Sequence, residues 1–185
     1  MDRQLELVIT GNDPVAARAL AASHGGTVYV DERDGADVPF RTLVRLVTDD
    51  AEALSSIPSE GTYVVVARTV KARPGAPAPE GVVALFPMIR HPDLRHAQSD
   101  AHWRDNHAPL ALRHHVAMSH YTQLSVVHTI SGFPYDGFAL CGFDSSADMR
   151  ERFFDGPEGR AAITADVAKF ADTTRSPRRL VTTEG

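Results

Sequence analysis

The stretch Lys71-Ala-Arg-Pro-Gly-Ala-Pro-Ala-Pro-Glu-Gly81 divides the chain. Its three prolines and two glycines hold the backbone extended and withhold ladder hydrogen bonds. Residues 73–81 therefore read as a linker between a first unit, 1–72, and a second, 82–185. Both units follow one pattern. Before the linker, residues 5–9 alternate like a strand, and Asp13-Pro14 offers an N-cap with proline at the first helical position. The alanine-rich run 15–23 reads as a helix stopped by Gly25-Gly26. Strands are expected at 27–32 and 40–48. A short helix follows, capped by Asp49 or Asp50 and ended by Pro58, and then a β-branched strand at 62–70.

The second unit repeats the order. Residues 82–90 read as a strand, 91–98 as a loop, and Ser99 or Asp100 caps a helix to about residue 116. Strands at 121–129 and 138–143 flank a Gly- and Pro-containing turn. A helix from Ser145 or Ser146 reaches 154, breaks at Gly156-Pro157, and resumes from 158 to about 171; residues 178–183 close the unit as a strand. Each unit is thus β-α-β-β-α-β, the split ferredoxin-like arrangement. The expected fold class is α+β, with two such repeats whose antiparallel sheets form an α+β barrel. Residues 63–67 and 82–86 are apolar on both parities, so both faces of these strands must be covered. Helices cover one face. The second sheet comes from the other half of the chain, from another subunit, or from both.

Composition bounds the function. The chain has 185 residues, 43% hydrophobic and 23% charged, which is ordinary for a folded domain and excludes a disordered one. A net charge of -5 argues against nucleic-acid or anionic-membrane surfaces. The single cysteine, Cys141, forms neither an internal disulfide nor a thiolate cage, and its place in a strand marks it as a small buried hydrophobe. The opening MDRQLELVIT lacks a basic region followed by an apolar run, and no run reaches the ~18–20 apolar residues of a membrane span. A cytoplasmic location is expected.

Histidine is unevenly placed. Of nine, only His24 precedes the linker. No pair has the i, i+4 spacing by which one helix chelates a metal, and His102 and His107 fall roughly 140° apart on an α-helix. No metal site is expected. On the same α-helical arithmetic, His107, Leu110 and His114 lie within about 40° of Trp103. Trp103 and Leu110 mark that face as buried and carry His107 toward the sheet. There a neutral imidazole in a partly apolar cleft exchanges a proton near neutral pH, or is merely a satisfied core histidine. Pro109 removes the bond to the Asp105 carbonyl and bends the helix beside His107. On the next strand Tyr121, Gln123 and Ser125 share a face whose polar groups require partners or a ligand.

Several of these residues, in order, resemble an EthD domain of the dimeric α+β-barrel superfamily. They are Arg90, Trp103-x-x-x-His107-Ala-Pro-Leu110, Tyr121, Tyr135-Asp136-Gly137, Phe143-Asp144-Ser145, Pro157-Glu158 and Asp166-x-x-x-Phe170-x-Asp172. The similarity spans about residues 82–184; the first unit resembles the family only in element order, as a degenerate repeat. The resemblance implies a small protein, commonly a homodimer. Related barrels include cofactor-free polyketide cyclases, quinone-forming monooxygenases, muconolactone-type isomerases and haem-handling enzymes. In several, the cleft between sheet and helices is the active site, and a histidine or tyrosine moves a proton.

The expectation is cofactor-independent proton transfer on a small apolar or aromatic ligand in the second-half cleft. His107 is the candidate base or acid, Tyr121 a hydrogen-bond donor to an enolate or phenolate oxygen, and Trp103 the apolar wall. Asn106 and His114 would orient the reacting groups, with Gln123 and Arg90 completing the ligand-binding set. The alternatives are an accessory protein that binds a hydrophobic metabolite without turnover, and a haem-binding barrel.

Overall fold

The computed structural model describes residues 3–47 and 59–185; the short helix expected at 49–57 lies outside the described residues. The strands are β1 (Arg3–Gly11), β2 (Thr27–Val30), β3 (Thr42–Leu46), β4 (Gly61–Lys71), β5 (Val82–Met88), β6 (Met118–Gly132), β7 (Gly137–Phe143) and β8 (Leu180–Glu184). They close into one antiparallel barrel in the order β1-β3-β2-β8-β5-β7-β6-β4. Within each half, strands one to four run in the spatial order four, one, three, two. The seams are β2 with β8 and β4 with β6, so each half closes the other.

The two-sided apolar strands are explained within one chain. Val83 and Leu85 of β5, with Val65 and Ala67 of β4, point into the barrel, whereas Ala84 and Val64 point out against helices. The interior is filled by side chains. Phe40, Tyr63, Tyr135 and Phe138 interlock there, with Tyr63–Phe138 and Phe40–Phe138 ring centroids 5.3 Å and 6.2 Å apart. The open space in the second half lies outside the barrel, between sheet and helices.

Helix α1 (Pro14–His24) covers the first half, capped by the Asp13 carboxylate on the Val15 and Ala16 amides and ended by Gly25 in the left-handed region. The second half carries α2 (His96–His102), a five-residue π-helical turn (Trp103–His107), α3 (Ala108–His114), α4 (Ser146–Glu151) and α5 (Pro157–Phe170). The expected loop at 91–98 gives way early. Gln98 accepts from the Arg95 amide at 3.0 Å, and the helix starts at His96 rather than beyond Ser99 or Asp100. Among the described residues no helix is long and apolar enough to cross a membrane.

The π-turn corrects the assumption of a continuous α-helix. Pro109 has no N–H for the Asp105 carbonyl, and its ring crowds the preceding turn. The chain widens by one residue there, and the Ala108 N–H reaches back five residues to the Trp103 carbonyl. Everything beyond the turn rotates by one position. Ala111 and His115 take the buried face on which α-helical spacing places Leu110 and His114.

Candidate active site

A cavity of about 210 Å³ lies between the outer face of β5, β6 and β7 and the layer formed by the π-turn, α3 and α5. Trp103, His107, Tyr121, Cys141, Phe153 and Phe170 are among its walls. Its lining is dominated by aromatic and aliphatic groups, with few polar atoms, as ligand cavities commonly are.

His107 is 7% exposed, and its Nδ1 lies 3.0 Å from Oδ2 of Asp166 on α5. His102 Nε2 lies 2.9 Å from the other oxygen, Oδ1. The π-turn makes this possible, because a five-residue turn brings positions 102 and 107 onto one side instead of roughly 140° apart. Phe170, one turn after Asp166, stacks on His102 at 5.4 Å and leans on His107 at 5.0 Å. The W-x-x-x-H and D-x-x-x-F segments are thus two helical faces that lock together.

The electrostatics follow from burial. Desolvation pushes the His107 imidazole down to about 4, against the opposing hydrogen bond and charge of Asp166. Burial would raise the Asp166 carboxyl, but the hydrogen bonds from His102 and His107 bring it below the ordinary carboxylate value. The pair at neutral pH is a neutral imidazole beside a carboxylate. An ionised carboxylate only accepts, so Nδ1 carries the proton and Nε2 keeps a lone pair. Nε2 has no hydrogen-bond partner among the described residues.

Tyr121 is the second polar feature of the wall. Its hydroxyl oxygen accepts from Trp103 Nε1 at 3.0 Å and from Gln123 Nε2 at 3.1 Å. A phenol that accepts twice keeps its own proton to give. Burial raises its pKa, so it stays protonated. Gln123 also donates to the Trp103 carbonyl at 3.0 Å, tying β6 to the widened turn. The indole lies against Gly137 of β7. A Cβ there would sit 2.6 Å from the ring and 2.9 Å from the Leu124 carbonyl, which explains the glycine after Asp136.

Trp103, His107 and Tyr121 line the cavity together. The other expected site residues do not. Asn106 is on the solvent side of the turn. His114 faces away, with Nδ1 2.9 Å from Asp155, because the π-turn hands its place to His115. Gln123 stands behind Tyr121 and supports it. Arg90 is at the rim, where its guanidinium and backbone N–H both bind Asp136, at 2.8 Å and 2.9 Å. Asp136 also meets His96 at 3.1 Å, so the Arg90 and Tyr135-Asp136-Gly137 segments form a structural clasp.

Three further residues belong to the site. Asp166 was visible only as part of a motif. His115 lines the cavity, with Nδ1 2.8 Å from the Phe153 carbonyl, and burial lowers its pKa. Arg68, from the first half, is 2% exposed; both terminal nitrogens bind Asp100, and its guanidinium sits 5.8 Å over the Trp103 ring. Cys141 is another wall group, its thiol pushed up to about 12 by burial. No group of three or more histidine, cysteine or acidic side chains converges as a metal site among the described residues.

Comparison with known proteins bears on this arrangement. No curated protein matches the chain significantly. A solved structure described as an anthrone oxidase-like protein is similar at a TM-score of 0.50 and 12% identity, over 99% of this chain and 92% of that one, which speaks to the fold alone. The EthD domain family model matches residues 91–174, from the segment before α2 to just past α5. The second half of this chain, with the His107–Asp166 pair at its centre, is therefore similar to an EthD domain and forms part of a closed α+β barrel.

Proposed function

We propose that the protein is a cofactor-independent enzyme that moves a proton on a small apolar or aromatic metabolite held in the cavity beside His107. The observation that carries this reading is a neutral, carboxylate-anchored imidazole with an unpartnered Nε2, set in an apolar wall. In that reading Nε2 removes a proton from a carbon or hydroxyl of the ligand, and Asp166 holds the ring in the required tautomer and offsets the imidazolium charge that forms. Tyr121 donates its remaining proton to the oxygen on which charge develops. Trp103 and Phe170 hold the ring of the ligand. A volume near 210 Å³ suits a one-ring ligand, given that a cavity of about 150 Å³ accepts benzene. It is small for a haem.

The test needs no knowledge of the full reaction. A panel of small aromatic carbon acids is incubated with the protein in deuterated buffer, and loss of the exchangeable C–H signal is followed by NMR. Exchange that disappears in His107→Asn supports the reading. Ligands that bind without exchange would make this an accessory binding protein.

Residues 1–72, 73–81 and 82–185 remain our proposed division into degenerate repeat, linker and EthD-like repeat, and the cytoplasm remains the proposed location. Resemblance to a dimeric superfamily is the support for a homodimer. The barrel no longer asks for one, since a single chain covers both faces of its strands.

A further inference from the structure

We infer that the ligand is an acid: an apolar body in the cavity with a carboxylate that reaches around the edge of the packed Phe153–Phe154 pair, whose ring centroids are 4.9 Å apart, to meet Arg160 and Arg179. This deepens the proposed function and rests on it for the place of the apolar part. Phe153 and Phe154 lie in the non-helical segment between α4 and α5, and both line the cavity. Their other side forms the wall of an open groove of about 780 Å³. The two spaces therefore share a wall of two aromatic rings.

The groove side of that wall is cationic. The Arg160 guanidinium lies 5.5 Å over the Phe154 ring, and that of Arg179 lies 5.5 Å over Phe153. Arg150 joins them, with the Ser146 hydroxyl as its hydrogen-bond partner at 3.2 Å. Glu151 is the one acid among the lining residues, so three arginines face it in a chain whose net charge is -5.

Arg179 is half-buried, and neither it nor Arg160 has an ion-pair partner among the described residues. Burial and the neighbouring Arg33 disfavour its charge, and no carboxylate compensates it. A desolvated guanidinium without a counter-ion is unfavourable, and an arriving anion relieves that. The planar fork of arginine matches a carboxylate edge, and stacking on the phenyl rings fixes both forks in place. A carboxylate anchored there would set the register of the ligand ring against Trp103 and His107.

The chain's single tryptophan, Trp103, is a cavity wall, so its fluorescence reports occupancy. The probes are 4-ethylbenzoate and its neutral isostere 4-ethylbenzamide, titrated against the wild type and the double variant Arg160→Gln/Arg179→Gln. The inference requires the benzoate to bind about tenfold more tightly at low salt, an advantage that shrinks as salt shortens the screening length. In the double variant the advantage must fall below about twofold while benzamide affinity holds, which also shows that the variant is folded. Equal affinities in the wild type, or an advantage that survives in the double variant, overturns the anion site and leaves the cavity reading intact. Failure of both probes to perturb Trp103 overturns both.

Discussion

His107 Nδ1 and Asp166 Oδ2 stand 3.0 Å apart across the interface of the π-turn and α5, both side chains nearly sealed from solvent. The carboxylate fixes the imidazole as the Nδ1–H tautomer. Asp166→Asn puts an amide in its place, whose N–H₂ can donate to Nδ1 and move the proton to Nε2. The expected result is a loss of about 10²-fold or more in any proton exchange the protein catalyses, with ligand affinity nearly unchanged. Kinetics of exchange beside Trp103 titrations separates the two. A parallel loss of affinity would assign Asp166 a packing role only.

The same burial predicts how stability follows pH. In the unfolded chain His107 takes up a proton near 6.5; in the folded chain it does so only at about 4. Between these values the unfolded state binds more protons, so stability is full above about pH 6.5 and is lost as pH falls toward 4. The contribution reaches about 3 kcal/mol at most. His115, lowered by the same desolvation, acts in the same direction. Urea denaturation should give a lower midpoint at pH 5 than at pH 7.5, and His107→Asn should flatten that dependence. An equal midpoint at both values in the wild type would show that His107 titrates normally.

Much of the barrel was legible in the sequence because strands and turns announce themselves locally. The break between β4 and β5, the Asp13-Pro14 cap and the two-sided apolar runs each carry a short-range signal. The cavity-facing pair Trp103 and His107 was legible for the same reason, being one turn apart. What failed was the phase beyond Pro109. A proline inside a helix signals a bend, but only the fold decides whether the chain kinks or widens, and widening moved the buried face from His114 to His115. Arg68 and Asp166 were hidden differently. Their partners are far off in sequence, at Asp100 and at His102 with His107, and a lone charge in a strand or helix looks like a solvated one until those contacts form.

Gly137 provides a stability test of the site's wall. An added Cβ would meet the Trp103 ring at 2.6 Å and the Leu124 carbonyl at 2.9 Å. The carbonyl is backbone and cannot swing away, and the indole is 2% exposed and held by its hydrogen bond to Tyr121. Gly137→Ala should therefore destabilise the protein by about 2 kcal/mol, in the range of overpacked cores. It should also change the emission of Trp103, because the indole must leave its hydrogen bond to Tyr121. Wild-type stability and emission together would mean that the ring does not rest on β7.

Arg68 and Gln123 face each other in register across the β4–β6 seam, where the two halves of the chain join. The Arg68 Nε and the Gln123 Oε1 are buried without a hydrogen-bond partner among the described residues. One is a donor and the other an acceptor, so a single water between them would satisfy both. A crystal structure at high resolution is expected to show that water, or a small shift that joins the two groups directly; either places Arg68 on the chain of hydrogen bonds that ends at the Tyr121 hydroxyl. The energetic test is a cycle. Arg68→Met takes two guanidinium bonds from Asp100, which is 20% exposed and keeps Arg104 at 3.8 Å, and should cost about 1–2 kcal/mol. Adding Asp100→Leu should recover part of that loss, because the carboxylate that lost its main partner is gone. Strict additivity of the two losses would show that the pair is not coupled, and that the first half merely closes the barrel without reaching into the site.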